Sequence, residues 1–217
     1  MKNAYLFVPV LLALLVLCAG CPELTNAPNN NTPNNNTPND TTPNDNDPAP
    51  EPDPDPDPDG VPQAILDMEM DTHVAINAER AAESLGALTM DEGLRAVARA
   101  HSQDMVDRDF FSHTNPDGDS VGARLADAGI SYRMAGENIA WNMGFADPVT
   151  TAVDGWMNSP GHRANILRPE FTHTGIGVAV TAQNAYYFTQ VFTDPSKSLG
   201  SRYVEIYTYG PIAMERR

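Results

Sequence analysis

Beyond residue 21 this chain contains no cysteine; its two, Cys18 and Cys21, both lie near the start. No disulfide can therefore staple the remainder, and whatever folds there must be held by its own core. Long hydrophobic runs are equally scarce. The one apolar stretch, Ala4 to Leu17, is short of the roughly 20 residues a helix needs to span a bilayer. Basic residues are missing altogether from residues 22–60, where nine acids stand (Glu23, Asp40, Asp45, Asp47, Glu51, Asp53, Asp55, Asp57 and Asp59). Residues 61–217 are also acidic, with twenty acids against twelve bases. Such a balance repels phosphate backbones and excludes nucleic acid as a natural partner. With cysteine confined to the start and Ser159 followed directly by Pro160, serine- or cysteine-type covalent catalysis has little support.

What is present divides into three parts. Residues 1–21 have a signal-peptide layout: Lys2, a short apolar core, then Cys18-Ala19-Gly20-Cys21. That ending resembles a prokaryotic lipobox, which would leave Cys21 as a lipid-bearing first residue. The leucine usual three positions before the cysteine is replaced by Cys18, with Leu17 one further back. Residues 22–60, rich in Asn, Thr and Pro and ending in Pro-Asp repeats, have almost nothing to bury and predict an extended spacer. In polyproline geometry it would reach on the order of 100 Å. Residues 61–217 are the expected folded domain.

Within that domain, Gln63 to Leu85 predicts a helix with Leu66, Met70, Val74, Asn77, Ala81 and Leu85 on its inner face and Gly86 as its stop. Thr89-Met90-Asp91-Glu92 fits a capping box for a second helix. The stripe of that helix is Leu94, Val97, Ala98, His101 and Met105, with His101 as a core histidine. Asn115-Pro116-Asp117-Gly118 is a turn that leaves His113 at the head of a loop. A short helix follows over Ser120 to Ala128. Ala135 to Ala140 predicts an extended piece with Glu137 pointing away from the Ile139 side. Asp147-Pro148 starts a helix that runs to Trp156-Met157. Ser159-Pro160-Gly161 then reads as a turn that presents His162. After Leu167 the period falls to two: Ile176, Val178 and Val180, then Tyr186 to Thr193, form a hairpin turning near Gln183-Asn184. Arg202 to Tyr209 adds an edge strand. Helices first and hairpin last, without β-α-β alternation, give an α+β layered domain.

Three ionisable residues stand at loops or element ends: His113, Glu137 and His162. Two imidazoles and a carboxylate can hold a divalent metal such as zinc, or serve as a general acid/base pair. Their spacing fits no local motif such as His-Glu-x-x-His. His73 and His173 have no evident partner; Asn138 and Asn165 read as bracing amides and Trp156 as core.

Five segments occur in the order of the CAP superfamily (cysteine-rich secretory proteins, antigen 5 and plant pathogenesis-related 1 proteins). They are Ser-His-Thr-Asn-Pro-Asp-Gly (112–118), Gly-Glu-Asn-Ile-Ala (136–140), Trp-Met-Asn-Ser-Pro-Gly-His-Arg-Ala-Asn-Ile-Leu (156–167), Gly-Ile-Gly-Val-Ala (175–179) and Tyr-Tyr-Phe-Thr-Gln-Val-Phe (186–192). The chain resembles the family's prokaryotic, cysteine-free branch from about Ile65 to Pro195. The resemblance implies an α-β-α sandwich with a small antiparallel sheet between helical layers. It also implies a cleft lined by two histidines and two glutamates able to hold a divalent metal, with His113, Glu137 and His162 matching three of the four. Where the second glutamate belongs, this chain has Ser159, a neutral and weaker ligand.

Three functions stay open on the sequence. The first is a secreted, lipid-anchored interaction module whose cleft takes a small-molecule, lipid, protein or cell-envelope ligand. The second is a metal-dependent hydrolase in which His113 and His162 hold the ion and Glu137 is ligand or base. The third is an envelope-structural protein with a relic cleft. In each the chain is extracytoplasmic, either tied to a membrane through Cys21 alone or released after cleavage of an ordinary signal.

Overall fold

A computed structural model describes residues 60–194 and 205–216, all within one compact unit, Pro52–Arg217. The expected signal segment, Cys21 and nearly all of the acidic spacer lie outside the described residues. The elements run α1 (Gln63–Ala82), β1 (Thr89–Met90), α2 (Glu92–Asp107), α3 (Val121–Asp127), β2 (Met134–Met143), α4 (Pro148–Asn158), α5 (Pro160–Ile166), β3 (His173–Val180), β4 (Ala185–Asp194), β5 (Glu205–Thr208) and β6 (Ile212–Glu215). No helix among the described residues is long and apolar enough to cross a membrane.

The sheet has the order β1-β3-β4-β2-β5, with β6 also on β2. Its centre, β3-β4-β2, is antiparallel as expected. The edges are parallel: β1 beside β3, and β5 and β6 beside β2. Alternation along the strands sends two sets of side chains to opposite faces. Phe188, Phe192, Ile176 and Ala140 pack with Ile76 of α1, Trp156 of α4 and Ile166 of α5. Val191 and Ala135 pack with Leu94 and Val97 of α2 and Leu125 of α3. This is the α-β-α sandwich. Its tightest approach is at Gly175 and Gly177, where a Cβ would collide with the α2 backbone at Leu94-Arg95 and Ala98-Arg99. Bare backbone there lets α2 lie directly on β3.

Several local expectations need correction. Helix α1 buries Ile65, Glu69, Thr72, Ile76 and Arg80, not the Met70–Val74 line; Met70 and Val74 are 44% and 63% exposed. The buried face is polar yet satisfied. Glu69 pairs with Arg95 and Arg99, and Arg80 donates to the carbonyls of Gly86, Ile166, Arg168 and Phe171. Asn77 is a backbone clamp, exchanging two hydrogen bonds with Leu88. The cap of α2 is Asp91, which accepts from the Leu94 N–H, while Thr89 belongs to β1. Ser159-Pro160-Gly161 is no turn. Ser159 alone is extended, and Pro160, its φ preset for a helix, opens α5. The piece around Glu137 is a ten-residue strand in unbroken register, so Glu137 and Ile139 share a face.

Candidate functional site

The site forms where β2, α5 and the loop before α3 meet. Glu137, on the α2/α3 face of β2, is fully buried. Such a carboxylate must be matched by donors or positive charge. His113 Nδ1 donates to its Oε1 at 2.8 Å, and Arg124 of α3 donates to its Oε2 at 2.5 Å. Burial pushes this carboxyl up, but the hydrogen bond from His113 and the charges of Arg124, His101 and His113 outweigh it and hold it below the usual carboxylate range. Arg124 also grips the carbonyls of His113 and Asp119, fixing the loop. His101 is the expected core histidine, with one role added: its Nε2–H donates to the Ser112 carbonyl, bracing the residue before His113.

The second nitrogen of His113, Nε2, donates to the Tyr209 carbonyl. Both partners of this ring are pure acceptors, so both bonds form only when both nitrogens carry protons. His162 lies on α5, 1% exposed. Its Nδ1 shares a proton with Ser159 Oγ at 2.8 Å, and its Nε2 is buried with no partner. Burial first, then the neighbouring His113, lowers it to about 4, so the ring is neutral at physiological pH. Ser159 therefore orients His162 from the position where the family pattern has a carboxylate. The three expected residues are brought into one region, with Tyr209 between the histidines: the Tyr209 and His162 rings lie 6.3 Å apart.

The supports are the expected amides. Asn138 donates to the His162 carbonyl, and Asn165 donates to Asn138 Oδ1 and to the Tyr207 carbonyl. Arg80, holding the carbonyls at the end of α5, fixes that helix and hence the ring of His162. His73 bonds the Leu88 carbonyl and Asn77, and His173 bonds Thr172, all away from the site. Arg124 and Tyr209 escape the sequence reading. A buried carboxylate implies a cation, which could have pointed to Arg124; nothing in the local pattern marks Tyr209.

So arranged, the donor set does not fit a divalent ion. Glu137 accepts from a histidine on one oxygen and from a guanidinium on the other, and both His113 nitrogens already face protein acceptors. No group of three His, Cys, Asp or Glu side chains converges on one point among the described residues. Among the described residues no nucleophile is assembled either. Gly118-Asp119-Ser120-Val121-Gly122 spells Gly-x-Ser-x-Gly, but Ser120 follows a loop rather than a strand, and its Oγ caps α3 by accepting from the Ala123 N–H. Three surface cavities of about 470, 550 and 560 Å³ lie elsewhere, and none is lined by His113, Glu137 or His162.

The layered fold, with Glu137 of β2 paired to His113 of the loop before α3, defines an α-β-α domain of the secretory-protein type. The chain belongs to the CAP, or cysteine-rich secretory protein, family, whose pattern matches residues 74–192. It is similar to the Bacillus subtilis (strain 168) proteins YkwD, 44% identical over 116 residues covering 54% of this chain and 44% of that protein, and YlbC, 38% identical over 116 residues covering 54% and 31%. The chain thus spans less than half the length of the curated relatives it matches. Among solved structures it is similar to an extracellular SCP-domain protein of Bacillus anthracis str. Ames. That match has 34% identity and a TM-score of 0.53, over 63% of this chain and 43% of that one. An outer surface protein of Borrelia burgdorferi shares the fold alone, at 20% identity and a TM-score of 0.54 over 58% and 92%.

Proposed function

We propose that this chain is an extracytoplasmic CAP-domain protein, lipid-anchored through Cys21, that acts by recognition at the cell envelope rather than by turnover. The observation that carries this reading is the commitment of Glu137. Its oxygens accept from His113 and Arg124, and these donors hold its pKa down, which makes it a weak base towards water. His113 is held in the same network, and the buried Nε2 of His162 has no hydrogen-bond partner. The leader-like start and the acidic, proline-rich spacer support display away from a membrane surface. The extracellular character of the Bacillus anthracis relative points the same way.

The test uses purified chain with zinc chloride, phospholipid vesicles, isolated peptidoglycan and a panel of ester, peptide and phosphodiester substrates. The reading expects binding to an envelope component that is lost in His162→Ala, with no turnover. Hydrolysis of any substrate that is abolished by Glu137→Gln would replace it with the hydrolase reading. Intact mass of membrane-extracted protein should show an acylated Cys21; a soluble product starting elsewhere would remove the anchor.

A further inference from the structure

The C-terminal residues 205–216 lie outside the family-matched stretch 74–192, yet they occupy the site. The family-matched sheet ends at β2, whose outer edge is covered, among the described residues, by β5 and β6. Both pair with it in parallel, Glu205–Thr208 with Met134–Glu137 and Ile212–Glu215 with Ala140–Met143. Between them Tyr209-Gly210-Pro211 sets three residues against two, Asn138 and Ile139, a bulge at the level of the histidines. The extra residue resets the alternation. Tyr207, Ile212 and Met214 all face the α4/α5 side, opposite Gly136, Ala140 and Asn142.

The body is shaped to receive this segment. A methyl group at Gly161 would overlap the Tyr209 ring, and one at Gly155 would come within 2.9 Å of Met214. Arg168 stacks its guanidinium 3.7 Å from the centroid of the Tyr207 ring, and the carbonyls of Tyr207 and Tyr209 accept from Asn165 and His113. The seating is nevertheless shallow. Glu205, Ile206, Thr208, Gly210, Pro211, Ala213, Glu215 and Arg216 are exposed, Ile206 at 44%. Backbone pairing with aromatic and methionine anchors at alternate positions is how a sheet edge takes up an extended peptide.

We propose that residues 205–216 are a displaceable occupant of a polypeptide groove made by the edge of β2, α5 and the gap between His113 and His162. The groove's partner is an extended peptide segment with an aromatic residue in the Tyr209 seat. The inference rests on the recognition reading and specifies its ligand class. A tethered segment competes at an effective concentration on the order of 1 mM, so a peptide of about 10 µM intrinsic affinity would bind about 100-fold more weakly while the segment is seated.

The probe is a fluorescent synthetic peptide of residues 205–216, titrated into the full chain and into a Tyr209→Ser/Met214→Ser variant. The expected result is saturable binding to the variant, about 100-fold tighter than to the unaltered chain, and abolished when Gly161→Ala is added to close the aromatic seat. A folded variant that ignores the peptide, or equal binding by both chains, overturns the proposal. So does a variant that no longer folds, because the segment would then be integral to the sheet. Hydrogen exchange on the unaltered chain provides the second measurement. Amides of 205–216 should exchange at least 100-fold faster than those of β4, through local opening; equal protection contradicts displaceability. Because the probe is the chain's own sequence, its binding is separable from the recognition reading. Peptide capture together with hydrolysis abolished by Glu137→Gln would keep the groove and remove that reading.

Discussion

Two fully buried glutamates, Glu69 and Glu137, are held by cations in this fold, and they do different work. Glu69 lies between α1 and α2. It takes Arg95 and Arg99, each with a contact at 2.7 Å, and also accepts from the Val178 N–H of β3. Its cations keep their charge at every relevant pH, and the cluster locks α1 and α2 onto the sheet. Glu137 takes one arginine, Arg124, and one histidine, His113. The histidine sits on a loop, and its second nitrogen reaches a carbonyl of a shallowly seated segment. Equal burial thus produces a fixed joint in one place and an adjustable one in the other.

The largest break in that comparison should come from Glu69→Gln. Two arginines, 11% and 15% exposed, would lose their buried carboxylate, and Arg95 would keep only the exposed Glu92 at 3.3 Å, costing about 3–5 kcal/mol in chemical denaturation. A loss under about 1 kcal/mol would show that water replaces the carboxylate freely. Next is acid. His162 is lowered to about 4 and His101 is also lowered, both chiefly by burial. A histidine depressed in the folded state favours unfolding as pH falls, since the unfolded chain binds the proton first. His162 alone should therefore remove stability progressively from about pH 6.5 to about pH 4, up to about 3 kcal/mol. His162→Gln should flatten that slope, and an unchanged slope would contradict the buried neutral ring. Glu137→Gln should cost less than Glu69→Gln, about 2 kcal/mol, because one guanidinium rather than two loses its buried carboxylate. Equal costs would erase the distinction between the two clusters. The smallest effect is Ser159→Ala, which removes one hydrogen bond from His162 for about 1 kcal/mol by thermal unfolding.

The same contrast explains what can be read from the sequence. Helix α2 is legible because its buried stripe, Leu94, Val97, Ala98, His101 and Met105, is mostly apolar and regular. The inner face of α1 is not, because Glu69 and Arg80 are matched by partners far along the chain and Thr72 by the Met68 carbonyl one turn back. Asp147-Pro148 and Ser120 mark helix starts correctly. Ser159-Pro160 carries the same signal yet reads as a turn, since one extended residue separates two helices. His113, Glu137 and His162 are reached through ordered motifs, but the cation on Glu137 and the residue between the histidines are not. Arg124 stands among ordinary helix residues, and the parallel pairing of the Tyr207 strand with β2 is a long-range choice that no local period encodes.

The most direct check on the occupied site is photo-crosslinking from position 209. With p-benzoylphenylalanine replacing Tyr209 in the full chain, irradiation and peptide mass mapping should give an intramolecular adduct within Pro160–Ile166, around Gly161 and His162. Adducts confined to other surfaces, or none within that helix, would contradict a C-terminal segment seated between the two histidines.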